Sequence, residues 1–337
     1  MKRLLLPILV LWFCACNGAL DAGAPALSEL DPCDLCGEGT LCLDGTCVPE
    51  TLMCGGDLCE APGVCIEGAC RPALTVATFN LYDLALPSSP ANLARYIADR
   101  TIDLILFQEI QPIDASDIVQ SLAAEGVEMH YAFSSRGGYG GEAGDDYLAV
   151  FSRFPLTSQE TILGGSYRDP VTGESFSFTY MRPVHRVRLM VHGQDLVVYN
   201  LHLKAQVPFP DCEDCLALRR TQAFALETYI LENDDPEEDL ILVAGDANSA
   251  IPEDFEPGNT LDRLTLRSDN PAGVANDFTA VNDQYRHEST HLDFDSLLDH
   301  LILSPALMSH YVFDSVEVVA PAGGPSDHKS VLLRLAF

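Results

Sequence analysis

From residue 74 to the C-terminus, short apolar runs alternate with amphipathic stretches. The runs TVATFNL, DLILFQEI, YLAVFSRF, HRVRLMV, DLVVYNLHL, DLILVAGDAN, LLDHLILS, VFDSVEVVA and SVLLRLAF read as strands. NLARYIADR, ASDIVQSLAAEG and LALRRTQAFALETYILEN carry helical spacing, the last with Leu216, Arg220, Phe224 and Tyr229 winding round it. Many strands with a few interposed helices predict an α+β domain in which two packed sheets are flanked by helices.

The pattern upstream is different. Lys2-Arg3 is followed by the apolar run LLLPILVLWF, a positive start and a hydrophobic stretch too short to span a bilayer. Phe13-Cys14-Ala15-Cys16 resembles a bacterial lipobox, with Phe13 where leucine is usual. This predicts a signal peptide over 1–15 and an acylated Cys16 that holds an exported protein to the cell envelope. An ordinary cleaved signal peptide is the alternative. Residues 17–32 are small and polar, without a period, and read as a tether that begins at Cys16.

Eight cysteines follow at 33, 36, 42, 47, 54, 59, 65 and 70. The spacing from Cys36 to Cys42 to Cys47 recurs from Cys59 to Cys65 to Cys70, so CGEGTLCLDGTC and CEAPGVCIEGAC are two copies of one unit. An export signal with an even cysteine count favours disulfides. Zinc competes, but the segment has no histidine and the spacing is not a paired C-x2-C. Too apolar-poor to fold without crosslinks, residues 33–72 form a small module ahead of a large domain over 74–337. Its connectivity stays open. Cys212 and Cys215, just before the long helical stretch, read as one further local disulfide.

Composition narrows the function classes. The chain has 19 Lys+Arg against 50 Asp+Glu, a net charge of −31. A nucleic-acid binder that relies on a broad basic surface is excluded. No stretch after the leader reaches the ~20 apolar residues of a membrane span. The single tryptophan, Trp12, lies in the leader.

The polar residues at strand ends carry the chemistry. Asn80 ends the first run and Glu109 stands in FQEI; His202 lies in NLHLKA. Asp246 and Asn248 form GDAN, Asp299 lies in LLDHLILS, and Ser326-Asp327-His328 precede the last run. In this order the set resembles the endonuclease/exonuclease/phosphatase superfamily over roughly residues 74–337. The resemblance implies a four-layer α/β/β/α sandwich with mainly antiparallel sheets, and a metal-dependent hydrolase of phosphoric esters working through an activated water. Glu109, Asn80 and Asp327 are the implied metal ligands, for Mg²⁺ with Mn²⁺ as substitute, and a structural Ca²⁺ is possible in such proteins. Asp246 positions the water and Asn248 holds a phosphoryl oxygen, on one face if strand geometry runs through GDAN. His202 and His328 are the acid–base candidates, with Asp299 orienting His328. His300, where the family often has an aromatic residue, is not expected to act.

DDYLAVFSR resembles the nuclease segment whose carboxylate orients the other histidine. Asp145 aligns with that role for His202, and Asp146 is the neighbouring alternative. Arg182 in MRPV resembles a phosphate-contacting arginine. Arg136, and Tyr139 beside it in the glycine-rich loop 134–146, stand ready to touch phosphate and base. Arg219 and Arg220 complete the cations expected near the cleft. His130, His185, His192, His287, His291 and His310 match no motif and read as surface or core residues.

Residues 74–337 carry 40 acids and 16 bases, which disfavours a polyanion at long range. Local charge still governs within the ~8 Å Debye length. A nuclease acting on DNA, with RNA as a further substrate, is the leading expectation. A sphingomyelinase-like phospholipid phosphodiesterase is the alternative, although no loop gathers aromatic residues for a bilayer interface. Phosphate monoesters and a non-enzymatic surface module rank below both. A monomer is expected.

Overall fold

The structure is a computed structural model that describes residues 40–43, 46–49, 53–54, 57–59, 63–82, 89–138, 146–178, 182–205, 215–249, 252–267, 276–283, 288–293, 296–320 and 326–337. The proposed lipidation residue Cys16, together with Asp145, Tyr139 and Cys212, lies outside them. Two compact units are present, residues 1–60 and 61–337, and the division falls inside the cysteine-rich stretch.

In the first unit β1 (Thr40–Leu43) pairs with β2 (Thr46–Pro49), and β3 (Met53–Cys54) with β4 (Asp57–Leu58). The second unit opens on β5 (Val64–Ile66) and β6 (Ala69–Arg71). The internal repeat has a structural counterpart. Cys42 stands opposite Cys47 in the first hairpin and Cys65 opposite Cys70 in the last, the same register 23 residues on. Cys54, Cys59, Cys65 and Cys70 are all disulfide-bonded, as the export reading required.

Two six-stranded sheets and a hairpin of β12 (Ser166–Arg168) with β13 (Ser175–Ser177) account for the other described strands. The first has the order β19 (Glu317–Val319), β20 (Ser330–Ala336), β7 (Ala73–Asn80), β8 (Leu104–Ile110), β10 (Tyr147–Ser152), β9 (His130–Phe133). The second runs β11 (Leu156–Ile162), β14 (Val184–Val191), β15 (Gln194–His202), β16 (Leu240–Asp246), β18 (Asp299–Leu303), β17 (Thr279–Ala280). Among the described strands only β7–β8 and β15–β16 pair in parallel, because a helix or helix-bearing loop separates those strands in sequence. Helices α1 (Ser89–Asp99) and α2 (Asp114–Ala124) connect along the first sheet, and α3 (Cys215–Asn233) and α4 (Thr260–Leu264) along the second. The short α5 (Pro305–Met308) follows β18.

Alternation along the strands explains the layers. Leu74, Val76, Leu104, Leu106, Val187 and Leu242 point between the sheets into one core. Phe79, Ile105 and Phe107 pack with Leu93 and Ile118 from α1 and α2, while Tyr199, Ile241 and Val243 pack with Leu218 and Leu226 from α3. Strands with both faces covered read as continuous apolar runs, which is why they were visible. This is the four-layer α/β/β/α sandwich. The edge strand Leu156–Ile162 has mostly exposed side chains and shows no apolar run, so the sequence did not reveal it.

Candidate active site

Strand register alone sets three functional side chains in a row. Pairing of β15 with β16 places His202 opposite Asp246, and pairing of β16 with β18 places Asp246 opposite Asp299. Gly245, just before Asp246, has φ 139°. A Cβ there would lie 2.0 Å from the Leu201 carbonyl oxygen, so only glycine lets the two strands approach this closely.

Glu109 reaches the same edge through a bulge. Ile110 faces Tyr147 but Phe107 faces Ala149, so Gln108 and Glu109 share one opposing position. Glu109 there takes φ 50°, a conformation that costs a non-glycine residue about 1–3 kcal/mol. A bulge of this kind turns a side chain out of the pleat. It brings the Glu109 carboxylate to 3.5 Å from both His202 Nε2 and Arg182 Nη2.

Asp246 is the centre of the site and is buried. Its Oδ2 accepts a hydrogen bond from Asn80 Nδ2 at 3.1 Å, and its Oδ1 accepts the Asn248 backbone N–H at 2.8 Å. His202 Nε2 lies 3.3 Å and His328 Nε2 3.8 Å from Oδ2. Burial alone would raise this carboxyl's pKa. The His202 hydrogen bond and the charges of the two histidines outweigh it and hold the pKa well below the usual carboxylate range.

His328 Nδ1 lies 2.9 Å from Asp299 Oδ2. Burial pulls its pKa down, but the Asp299 charge and hydrogen bond, with Asp246 and Asp327 nearby, push it up to about 10. The ring is therefore an imidazolium at neutral pH, donating from Nδ1 to Asp299. Ser326 fixes the backbone here: its Oγ accepts the His328 N–H at 2.9 Å and donates to the Asn80 carbonyl at 2.6 Å.

Arg182 crosses the opposite wall with its side chain only 10% exposed. Its Nη2 lies 2.7 Å from Asp146 Oδ2, its Nη1 donates to the Leu203 carbonyl at 3.1 Å, and the guanidinium abuts His202. Glu109 beside it has a raised pKa, because burial outweighs the pull of His202 and Arg182.

Of the residues expected from sequence, Glu109, Arg182, His202, Asp246, Asn248, Asp327 and His328 line one cavity of about 270 Å³. Asp299 stands behind His328. Asn80, an expected metal ligand, is buried beside Asp246. Its amide faces Asp246 and its oxygen accepts the Tyr82 N–H at 3.0 Å, so it braces the carboxylate. The described carboxylate at the DDY motif is Asp146, and its hydrogen-bond partner is Arg182. Its carboxylate, the Glu109 carboxylate and a His202 nitrogen all lie within 4.8 Å of one another.

Arg136 does not line the cavity; its Nη2 donates to the Leu163 carbonyl at 2.8 Å and ties two loops. Arg219 and Arg220 are corrected too. Both are buried, Arg219 against Asp254 at 3.3 Å and Arg220 against Asp169 at 2.7 Å, so neither faces the cleft. A guanidinium that deep must be paired, and these pairs fasten α3 to the loops beside it. His300 hydrogen-bonds the Ser249 carbonyl and stands apart from the cavity, as expected. Cys215 is disulfide-bonded.

Five lining residues were not expected, Tyr82, Ala205, His291, Ser296 and Leu298, and two of them carry functional side chains. His291, read as bland, is nine-tenths buried against Asp327 and His328. Tyr82, two residues beyond Asn80, lines the cavity while remaining 52% exposed. No period or spacing marked either. The sole signal for His291 was its place in the loop that leads to Asp299.

The chain matches the model of the Endonuclease/Exonuclease/phosphatase family over residues 77–328. No curated relative matches it. Among solved structures it resembles an endonuclease/exonuclease/phosphatase from Beutenbergia cavernae DSM 12333, with 18% identity, 79% of this chain and 72% of that one covered, and a TM-score of 0.54. It also resembles the human Nocturnin catalytic domain with bound sulfate anion, with 17% identity, 79% and 93% covered, and a TM-score of 0.54. D. rerio TDP2 complexed with single strand DNA product is similar at 17% identity, 79% and 99% covered, and a TM-score of 0.52. The family's enzymes use divalent metals, and clusters of carboxylates and histidines able to hold one are present here. The chain belongs to the endonuclease/exonuclease/phosphatase family and is a hydrolase of phosphoric ester bonds.

Proposed function

We propose that this enzyme is a Mg²⁺-dependent phosphodiesterase that hydrolyses nucleic acid, DNA before RNA, as an exported monomer anchored through a lipid on Cys16. The observation that carries the substrate reading is Arg182. Its guanidinium forms a cavity wall beside both carboxylates and His202, where a phosphate backbone would sit. The chain shares its fold with a protein solved with single strand DNA product and with one solved with sulfate, which suits a substrate carrying phosphate.

The donor set fits a hard divalent cation. Glu109, Asp246 and Asp327 crowd oxygen donors around one cavity with Asp146 beside Glu109, and Arg182 is the one permanent cation among the described residues that line it. Glu109 and Asp327 line the cavity and would hold Mg²⁺, which keeps several waters and needs few protein ligands. The ion would supply Lewis-acid polarisation of the phosphoryl oxygen.

The chain's own residues do the rest. Ionised Asp246, fixed by Asn80 and the Asn248 N–H, orients the attacking water and takes its proton. His202, against the Arg182 guanidinium, and Asn248 face the phosphoryl group from the cavity lining. His328, charged and held by Asp299, gives its Nε2 proton to the leaving ester oxygen as the P–O bond breaks. The acidic surround is tolerable because the Debye length limits repulsion to the neighbourhood of the cleft.

Half-exposed Tyr82 at the mouth keeps the phospholipid alternative in view, since an apolar ring there also suits a lipid headgroup region. The test offers the full chain supercoiled plasmid, single-stranded RNA, sphingomyelin vesicles and a soluble phosphate monoester, each with Mg²⁺. Nicked and then linear plasmid with intact vesicles supports the nuclease reading. Hydrolysed vesicles beside supercoiled plasmid overturn it in favour of lipid.

A further inference from the structure

The cavity contains a third histidine, and its surroundings are built to place it. Thr290 is fully buried, and its Oγ1 accepts the Leu298 and Asp299 N–H groups at 2.8 and 3.2 Å. Its carbonyl accepts the Lys329 N–H at 2.6 Å, and the Leu292 N–H donates to the Asp327 carbonyl at 2.7 Å. Residues 290–292 thus form an antiparallel bridge with 327–329, His291 opposite His328. The two rings meet at 70° with centroids 4.8 Å apart. A loop pinned at Thr290 and at Leu292, on either side of one residue, leaves that residue little freedom.

The ring's own hydrogen bond fixes its tautomer. His291 Nδ1 accepts the Asp293 backbone N–H at 3.1 Å. An Nδ1 that accepts carries no proton, so the neutral ring carries it on Nε2. That Nε2 faces Asp327 Oδ2 across 3.5 Å at the cavity wall.

One reading of the His291–Asp327–His328 cluster is a second metal site, since their ligand atoms lie within 4.8 Å of one another. A ligating histidine coordinates through a bare nitrogen and donates from the other. His291 has the opposite arrangement, since its bare Nδ1 is taken up by the Asp293 N–H and its proton faces the cavity.

We propose that His291 is a further catalytic residue whose Nε2–H donates to a non-bridging oxygen of the bound phosphoryl group, and that it ligates no metal. The proton stays on His291 throughout; the residue stabilises charge and transfers nothing. With Arg182 lining the same cavity, the phosphoryl group then meets two donors, one charged and one neutral. This inference rests on the phosphodiester reading above.

The test uses the full chain with Mg²⁺ on a duplex oligonucleotide and on bis(p-nitrophenyl) phosphate, comparing His291→Phe, His291→Gln and His328→Ala with wild type. Bound Mn²⁺ is counted by electron paramagnetic resonance. His291→Phe should lower kcat about 10²-fold, the worth of one such donor, with KM little moved on either substrate. His291→Gln, which keeps an N–H at similar reach, should recover part of the loss, and Mn²⁺ stoichiometry should match wild type in both. Wild-type kcat in His291→Phe, no recovery in His291→Gln, or a lost Mn²⁺ equivalent would each overturn the proposal while His328→Ala inactivity keeps the reading it rests on. His291→Leu replaces the Phe variant if that one does not fold. A wild-type enzyme that cleaves no phosphodiester would instead defeat the reading itself.

Discussion

Asp299 Oδ2 lies 2.9 Å from His328 Nδ1, both side chains are buried, and the pair turns His328 Nε2 toward Asp246. The carboxylate both sets the ring's orientation and stabilises its charge. Asp299→Asn keeps the shape and removes the charge. We expect kcat/KM to fall by roughly 10²–10⁴-fold, the range for a mispositioned acid–base group. Steady-state kinetics beside a thermal melt checks this; a full-rate variant would show that the dyad is only architectural.

Metal dependence should follow Glu109. Excess chelator is expected to abolish hydrolysis, and Glu109→Gln to raise the metal concentration for half-maximal rate by about 10–100-fold, the usual scale for disturbing a ligand environment. The bulge that holds Glu109 at φ 50° is retained in glutamine, so unfolding by urea should change little. Full activity in chelator would remove the mechanism.

Gly245 should tolerate no side chain. In Gly245→Ala the new Cβ would meet the Leu201 carbonyl oxygen at 2.0 Å and the Leu201 carbon at 2.9 Å, on backbone that cannot yield cheaply. Overpacking and φ strain each cost about 1–3 kcal/mol. We expect a denaturation midpoint well below wild type or insoluble protein; an unchanged midpoint would contradict the close approach of β15 and β16.

His185 gives the pH dependence of stability. It is fully buried on β14, and burial pushes its pKa down to about 4. The unfolded chain, near 6.5, binds the proton more tightly. Stability from this neutral ring is therefore complete above pH 6.5 and is lost as pH falls toward 4, on the order of 3 kcal/mol in all. Urea melts from pH 7 to 4 should show that slope in wild type and a shallower one in His185→Phe.

The sequence showed most of the frame and half of the logic of the site. Apolar runs were visible because strands such as Leu104–Ile110 and Leu240–Asp246 are covered on both faces. Glu109 and Asp246 were legible near the ends of those runs, and Asp299 and His328 at or just before the starts of two others. Arg219 and Arg220 misled, since their partners Asp254 and Asp169 come from loops 35 and 51 residues away. His291 was hidden for the same reason. Its meaning lies in a bridge to His328 that no local period encodes. Asn80 looked like a ligand by resemblance, yet its amide is committed to Asp246.

The central claim is that the cavity around Asp246 hydrolyses phosphodiesters with a water that Asp246 activates. The most direct measurement is the Mg²⁺-dependent cleavage rate of a duplex oligonucleotide by wild type and Asp246→Asn, with urea unfolding of each. Asp246→Asn keeps the shape of the side chain and one acceptor oxygen, which can serve only one of the Asn80 and Asn248 donors, and provides no base. The account predicts a rate loss of about 10³-fold or more at a closely similar unfolding midpoint, in line with the 10²–10⁴-fold worth of a general base plus the lost charge. Equal rates in the two proteins would contradict it.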